Sequence, residues 1–202
     1  TRCVASLLMA ETGKADSRIE TVAGVLDARA GPDGAVSVDM GPVNLDWKAI
    51  PLARQMDTLK LDFAMGPLRE PVAVNVGNPH AVFFVDDAAA VPLAELGPKI
   101  EHDALFPERV NVEAATVRAD GTIRLRVWER GAGLTPACGS GACATVVAAN
   151  RRGLAGRRAK VVLDGGALDI EWRADNHVIM SGPVATVFAG EIDRVLLQGA
   201  GR

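Results

Sequence analysis

Apolar and polar residues change rhythm along this chain, and each rhythm predicts an element. In "RCVASLLMAETG", Cys3, Leu7 and Ala10 recur at helical spacing with Leu8 beside them, which predicts a helix over 2–12 stopped by Gly13. "GAVSVDMG" alternates with a period of two, as a half-buried strand does. "REPVAVNVGNPHAVFFVDD" reads as strand, tight turn and strand, with Gly77, Asn78 and Pro79 supplying the turn. "VPLAELGPKIEHDALF" contains a short helix, and Asp120-Gly121 splits "RVNVEAATVRADGTIRLRVWERG" into a hairpin. A second helix is expected over 141–152, closed by Gly153. "AKVVLDGGALDIEWR" predicts another hairpin, and strands are expected to end the chain in "NHVIMSGPVATVFAGEIDRVLL". The sum is an α+β fold, a mostly antiparallel sheet around two central helices.

The two helices resemble each other. In "RCVASLLMAETG" and "ACATVVAANRRG" a cysteine precedes a glycine by ten positions, so Cys3 corresponds to Cys143 and Gly13 to Gly153. Shared composition is one explanation; an internal repeat from two pseudo-symmetric lobes is the other. A repeat puts the counterpart of Cys138 just ahead of Thr1, and the chain, which begins without methionine, is then expected to be a cut molecule.

Composition narrows the function classes. With 49% apolar residues among 202 the chain can bury a sizeable core. A net charge of -3 offers no basic excess, which makes nucleic acid and anionic membrane poor partners. Three cysteines do not form a disulfide framework; free thiols, the lack of a signal-peptide pattern and the lack of a bilayer-length apolar run point to a cytoplasmic location.

"PACGSGACATVVAAN" carries the most pointed chemistry. Cys138 stands at a predicted helix start, where unpaired N–H groups and the dipole favour anions, and Gly139, Ser140 and Gly141 let an anion approach. The same field is expected to lower the Cys138 pKa, leaving a poised base beside a carboxylate-holding loop. Zinc would need two more ligands at suitable spacing, a redox pair would favour C-x-x-C, and a purely structural thiol is the third alternative. Cys143, inside the helix, reads as core. Asn78 and His80 sit in the 77–79 turn region, Asn111 interrupts a strand, and Glu129-Arg130 ends one; a satisfied turn histidine and an exposed ion pair are the plainer readings. His102 and His177 read as surface residues.

Taken together, "VGNPHAVFFVDD", "LFPERVNVEAATV", "VWERGAGLTPACGSGACATVVAANRRG" and "DNHVIMSGPVATVFAGEI" closely resemble the signatures of the diaminopimelate epimerase family, in order along nearly the whole chain. The resemblance implies two pseudo-symmetric α+β lobes, each with a central helix in a curved sheet. It also implies cofactor-independent interconversion of LL- and meso-diaminopimelate by two cysteines, in lysine and peptidoglycan biosynthesis. On this resemblance Cys138 is the second-lobe catalytic cysteine, with Gly139 and Ser140 gripping the substrate carboxylate. His80 and Glu129 are the pair flanking the reacting centre, engaging its ammonium group and assisting the cysteines, and Asn78, Asn111 and Arg130 hold the distal amino-acid end. It implies no metal and no cofactor, and a homodimer; none of the five lysines falls in these loops, which disfavours pyridoxal phosphate. The family's first-lobe motif, Cys-Gly-Asn, two variable residues and Arg-Cys, is matched only at its end, by Arg2 and Cys3. Residues 1–70 are therefore expected to be the remnant of the first lobe, 71–190 the second lobe, and 191–202 a strand returning to the first. Exposed sheet edges and apolar surface are expected around the first helix. The alternatives are a proline or hydroxyproline racemase-like isomerase on the same fold, and an inactive binding fragment.

Overall fold

In the computed structural model, which describes residues 1–21 and 24–193, the predicted elements appear in the predicted order. Helix α1 (Arg2–Thr12) ends on Gly13 at φ 68°, a left-handed conformation that glycine adopts without strain. Strands β1 (Asp16–Thr21) and β2 (Gly24–Ala30) pair with each other; the pattern gave no notice of them, because no residue of β1 is buried. There follow β3 (Val36–Pro42), the short pair β4 (Ala64–Met65) and β5 (Leu68–Arg69), β6 (Val72–Asn75), β7 (Pro79–Phe84) and helix α2 (Leu93–Glu101). Next come β8 (Asn111–Val117), β9 (Ile123–Glu129), β10 (Gly133–Thr135), helix α3 (Gly139–Arg151), β11 (Arg158–Leu163), β12 (Gly166–Trp172) and β13 (His177–Gly182).

Two boundaries differ from expectation. Helix α3 starts at Gly139 rather than 141, because Cys138 itself caps it; glycine-rich "CGSG" looks like loop until the cap is seen. The chain's end holds one strand, β13, and residues 183–193 carry no regular structure; the rest of the expected returning strand, 194–202, lies outside the described residues.

The main sheet runs β1-β2-β3-β13-β12-β11-β9-β8-β7-β6, with β10 attached to β9. It is antiparallel except where β7 joins β8 and β9 joins β11. Its strands wrap two helices. Helix α1 lies on β1, β2 and β3, whereas α3 contacts β6 to β9 and β11 to β13. This is the two-lobed α+β arrangement, joined along β3 and β13. At that seam Ser37 and Ser181 share a hydrogen bond of 2.7 Å, and His177 Nδ1 lies 2.9 Å from Asp39 Oδ1. His177 is therefore half-buried rather than a free surface residue, a consequence of a strand pairing between distant segments. His102 is exposed as expected.

Strands β6 to β8 bury both faces, which is why their segments read as near-continuous apolar runs. Val72, Val74 and Val82 face the core around α3, while Ala73, Ala81 and Phe83 face a second core with α2. Ile50, Leu52, Leu61 and Leu68, from the stretch after β3, pack into that second core. At the sheet's other end α1 buries Ala5 and Met9 but leaves Val4 51% and Leu7 59% exposed, the apolar surface expected there.

Helix α2 fixes the chain that follows β9. Gly97 leaves room for the Trp128 ring, since a Cβ on Gly97 would lie 2.4 Å from it. Buried Glu101 accepts the Trp128 indole N–H at 2.7 Å and the Gly131 N–H at 3.0 Å, clamping the turn that carries Glu129 and Arg130. A rigid ring cannot yield as a flexible side chain does. Gly97→Ala should therefore cost about 1–3 kcal/mol of stability by urea unfolding, with the amide of Gly131 losing hydrogen-exchange protection.

Candidate active site

The N-terminus of α3 organises the site. Cys138 is extended (φ -134°, ψ 109°) and its Sγ accepts the Gly141 N–H at 3.4 Å, so the thiol serves as the helix cap. Ser140 Oγ lies 3.6 Å from the same sulfur. A Cβ on Gly141 would stand 3.1 Å from Glu113 Oε1 and 3.3 Å from Cys138 Sγ, so the missing side chain is what lets strand β8 bring a carboxyl group this close.

From the sulfur a polar run leads inward. Asn78 Nδ2 donates to Ser140 Oγ at 3.3 Å, and Asn78 Oδ1 lies 2.9 Å from His80 Nε2. His80 Nδ1 lies 2.6 Å from Glu113 Oε1, with both side chains wholly buried. Parallel pairing of β7 with β8 places His80 opposite Asn111 and two residues from the register of Glu113. The structure thus brings Asn78, His80, Cys138 and Ser140 together. Glu129 approaches from β9, where Thr135 of β10 donates its hydroxyl to the carboxylate.

Asn111 is fully engaged with backbone. Its Nδ2 donates to Pro79 O at 2.7 Å and its Oδ1 accepts the Arg130 N–H at 2.9 Å. It ties the start of β7 to the end of β9. The Arg130 guanidinium is exposed and donates to Glu108 O at 3.1 Å.

A cleft of about 430 Å³ opens where α1 and α3 begin, lined among others by Arg2, Cys3, Gly139, Ser140, Leu168 and Met180. Arg2 lines it with Nε and Nη1 buried and without hydrogen-bond partners. Unmet guanidinium donors and the start of α3 give the cleft a field that suits a carboxylate. Cys3 is exposed at this cleft, and Cys143 is buried inside α3, as its place in the helix implied.

Comparison with known proteins decides the lineage. The family model for diaminopimelate epimerase matches residues 72–187. A diaminopimelate epimerase from Rhodospirillum centenum is 59% identical over 200 residues, covering 99% of this chain and 69% of that protein. One from Acidiphilium cryptum is 56% identical over 197 residues, covering 98% and 71%. The chain belongs to the diaminopimelate epimerase family. Among solved structures, a hydroxyproline epimerase from Agrobacterium vitis superimposes with a TM-score of 0.60 at 18% identity, covering 90% of this chain and 62% of that one. At that identity the likeness is one of fold alone.

In this diaminopimelate epimerase family member the Cys138 thiol is not poised as a thiolate. Burial pushes its pKa up to about 12, against the lowering by Ser140 and by the Gly141 N–H. The expected lowering at a helix start is overturned because Cys138 is only 4% exposed, and burial disfavours the charged thiolate. Cys143 is raised as well, chiefly by burial. Sequence reasoning missed Glu113, whose only signal was one charged residue in the apolar run "VNVEAAT", and it gave Arg2 no role at the cleft. Among the described residues no helix is long and apolar enough to cross a membrane, and no group of three or more His, Cys, Asp or Glu is placed to hold a metal ion.

The raised thiol has a stability consequence with a definite sign. Between its ordinary value of 9.0 and about 12 the folded chain holds a proton that the unfolded chain has lost. Stability then falls as pH rises through this window. Cys138→Ala should lose less stability than the parent between those limits in urea titrations, with the two curves parallel below pH 9.0.

Proposed function

We propose that the cleft at the start of α3 is one half of a diaminopimelate epimerase site, in which Cys138 exchanges a proton with the carbon next to a carboxylate. The carrying observation is the buried Cys138 thiol, held at the helix cap within reach of Ser140 and beside a cleft whose unmet donors come from Arg2. In this reading the substrate carboxylate rests on the N–H groups of Gly139 and Ser140. Those donors also receive the charge that builds up as the α-proton leaves. A base on one face takes that proton, and the Cys138 S–H gives its own to the opposite face, which inverts the centre; in the reverse direction the two groups exchange roles. A thiol protonated at rest is suited to the donor's part. His80 and Glu129 flank the reacting centre, with Glu129 facing the substrate ammonium group. Asn78 and Arg130 face the distal amino-acid end, and Asn111 holds the backbone of Arg130 where that end is met.

Inversion needs a second base on the other face. Within these 202 residues Cys143 is enclosed in α3 and Cys3 belongs to the repeat position of Cys143, not of Cys138. We assign the second base to the Cys-Gly-Asn motif that the family resemblance places ahead of Thr1. The small-molecule substrate asks for neither nucleic acid nor membrane, and a reducing cytoplasm would keep both thiols free. The test is stereochemical. A chain extended upstream by its native codons should convert LL- to meso-diaminopimelate, and Cys138→Ala in that chain should lower the rate about 10²- to 10⁴-fold while circular dichroism still shows a folded chain. Undiminished turnover in the alanine variant would refute the role of Cys138, and conversion by the 202 residues alone would refute the assignment of the second base.

A further inference from the structure

Among the described residues Glu113 is a wholly buried carboxyl group whose neighbours are the groups of the site. The groups that face it are His80 on β7, Glu129 on β9, Cys138 at the start of α3 and the backbone N–H of Ala81. His80 is the only one of them that can carry positive charge. Glu113 Oε1 meets His80 Nδ1 at 2.6 Å, and Glu113 Oε2 is buried without a hydrogen-bond partner. An orphaned carboxylate oxygen is far more costly to bury than an orphaned carbonyl oxygen, so the geometry favours the neutral acid. Burial raises the carboxyl above its usual range, opposed by His80 and reinforced by Glu129.

Neutral Glu113 has one proton to give, and the acceptor beside it is His80 Nδ1. The ring's remaining proton is then on Nε2, which donates to Asn78 Oδ1 at 2.9 Å. Asn78 Nδ2 in turn donates to Ser140 Oγ at 3.3 Å. With one lone pair of Ser140 so occupied, its hydroxyl hydrogen is free to point at Cys138 Sγ, 3.6 Å away. Every donor in the run faces the sulfur. If the ring carried its proton on Nδ1 instead, Asn78 would have to turn its amide to donate to Nε2. Its oxygen would then draw the Ser140 hydrogen away from the sulfur.

We propose that Glu113 is a positioning residue for proton exchange at Cys138: it donates to His80 Nδ1, fixes the ring proton on Nε2, and so aims the Asn78–Ser140 donors at the sulfur. The proposal rests on the role given to Cys138 above, but its test does not need turnover. The 202-residue chain, labelled with nitrogen-15 in histidine, is compared at neutral pH with Glu113→Gln, which keeps a donor at the same place, and with Glu113→Leu, which removes it. His80 should show a neutral ring protonated on Nε2 in the parent and in the glutamine variant, and should lose that single tautomer in the leucine variant. In a Cys3→Ser background, alkylation of Cys138 at one mildly alkaline pH should slow about five- to tenfold in the leucine variant and stay unchanged in the glutamine variant. A doubly protonated His80 ring in the parent overturns the proposal. So does a glutamine variant that loses the Nε2 tautomer, or a folded leucine variant that keeps both tautomer and alkylation rate. If the leucine variant fails to fold, the parent and glutamine spectra decide between the same outcomes. Loss of the epimerase reading would show as absent inversion with these ring spectra intact, so the two ideas fail separately.

Discussion

Helix α3 has no face to give to water: every residue from Gly141 to Ala149 is buried. A helix that is apolar all round must be enclosed, and the chain encloses it with strands drawn from both sides of its own position in the sequence. β6 to β9 come before it and β11 to β13 after it, which is why one continuous sheet can curve around it. Small residues are what make this close enclosure possible. Alanine, glycine and valine dominate α3, so strands approach its axis closely and one of them, β8, brings Glu113 to within contact of the first turn.

Enclosure leaves only the ends of α3 open, and the start is where polar chemistry collects. The helix needs partners for its first N–H groups, and a thiol supplies one of them. Using a reactive side chain as the cap fixes its position to the helix, next to the cleft that Ala137, Gly139 and Ser140 line. The same burial that fixes it raises its pKa, so the site holds a proton until a substrate removes it. Around it the polar groups are chained rather than scattered. Each of Asn78, His80 and Ser140 has a partner on both sides, which leaves few orientations open to any of them.

The residues closest to backbone chemistry were the most legible in the sequence. Gly13, Gly153 and Asp120-Gly121 stopped or turned the chain where the pattern placed them, because local φ preferences act within a few residues. Cys138 could be singled out because a thiol followed by Gly139 and Gly141 opens an otherwise alanine-rich helix. Asn111 was noticed for the right reason, a strand asparagine with its amide in use, yet both bonds go to protein backbone. Glu113 went unremarked since one charged residue in a strand usually faces solvent, and only the pairing of β8 with its neighbours turns it inward. The β1–β2 pair went unread because β1 alternates only between exposed and half-buried positions and β2 buries just Leu26 and Ala28, a weak signal along the chain.

The sequence by itself determined the order and type of most elements, the likeness of the two helices and the identity of the thiol at the tip of the second. Those are local matters, set by the spacing of apolar residues and by backbone preference. Tertiary structure alone decided the protonated state of that thiol, the burial of Glu113 against His80 and the short contact between them. These depend on which groups share a dry volume, and residues 78, 80, 113, 129 and 138 meet only after parallel and antiparallel pairings have brought separate strands together. A field that lowers a pKa at an exposed helix start is overruled when the same atom is buried, and no count along the chain can foresee that.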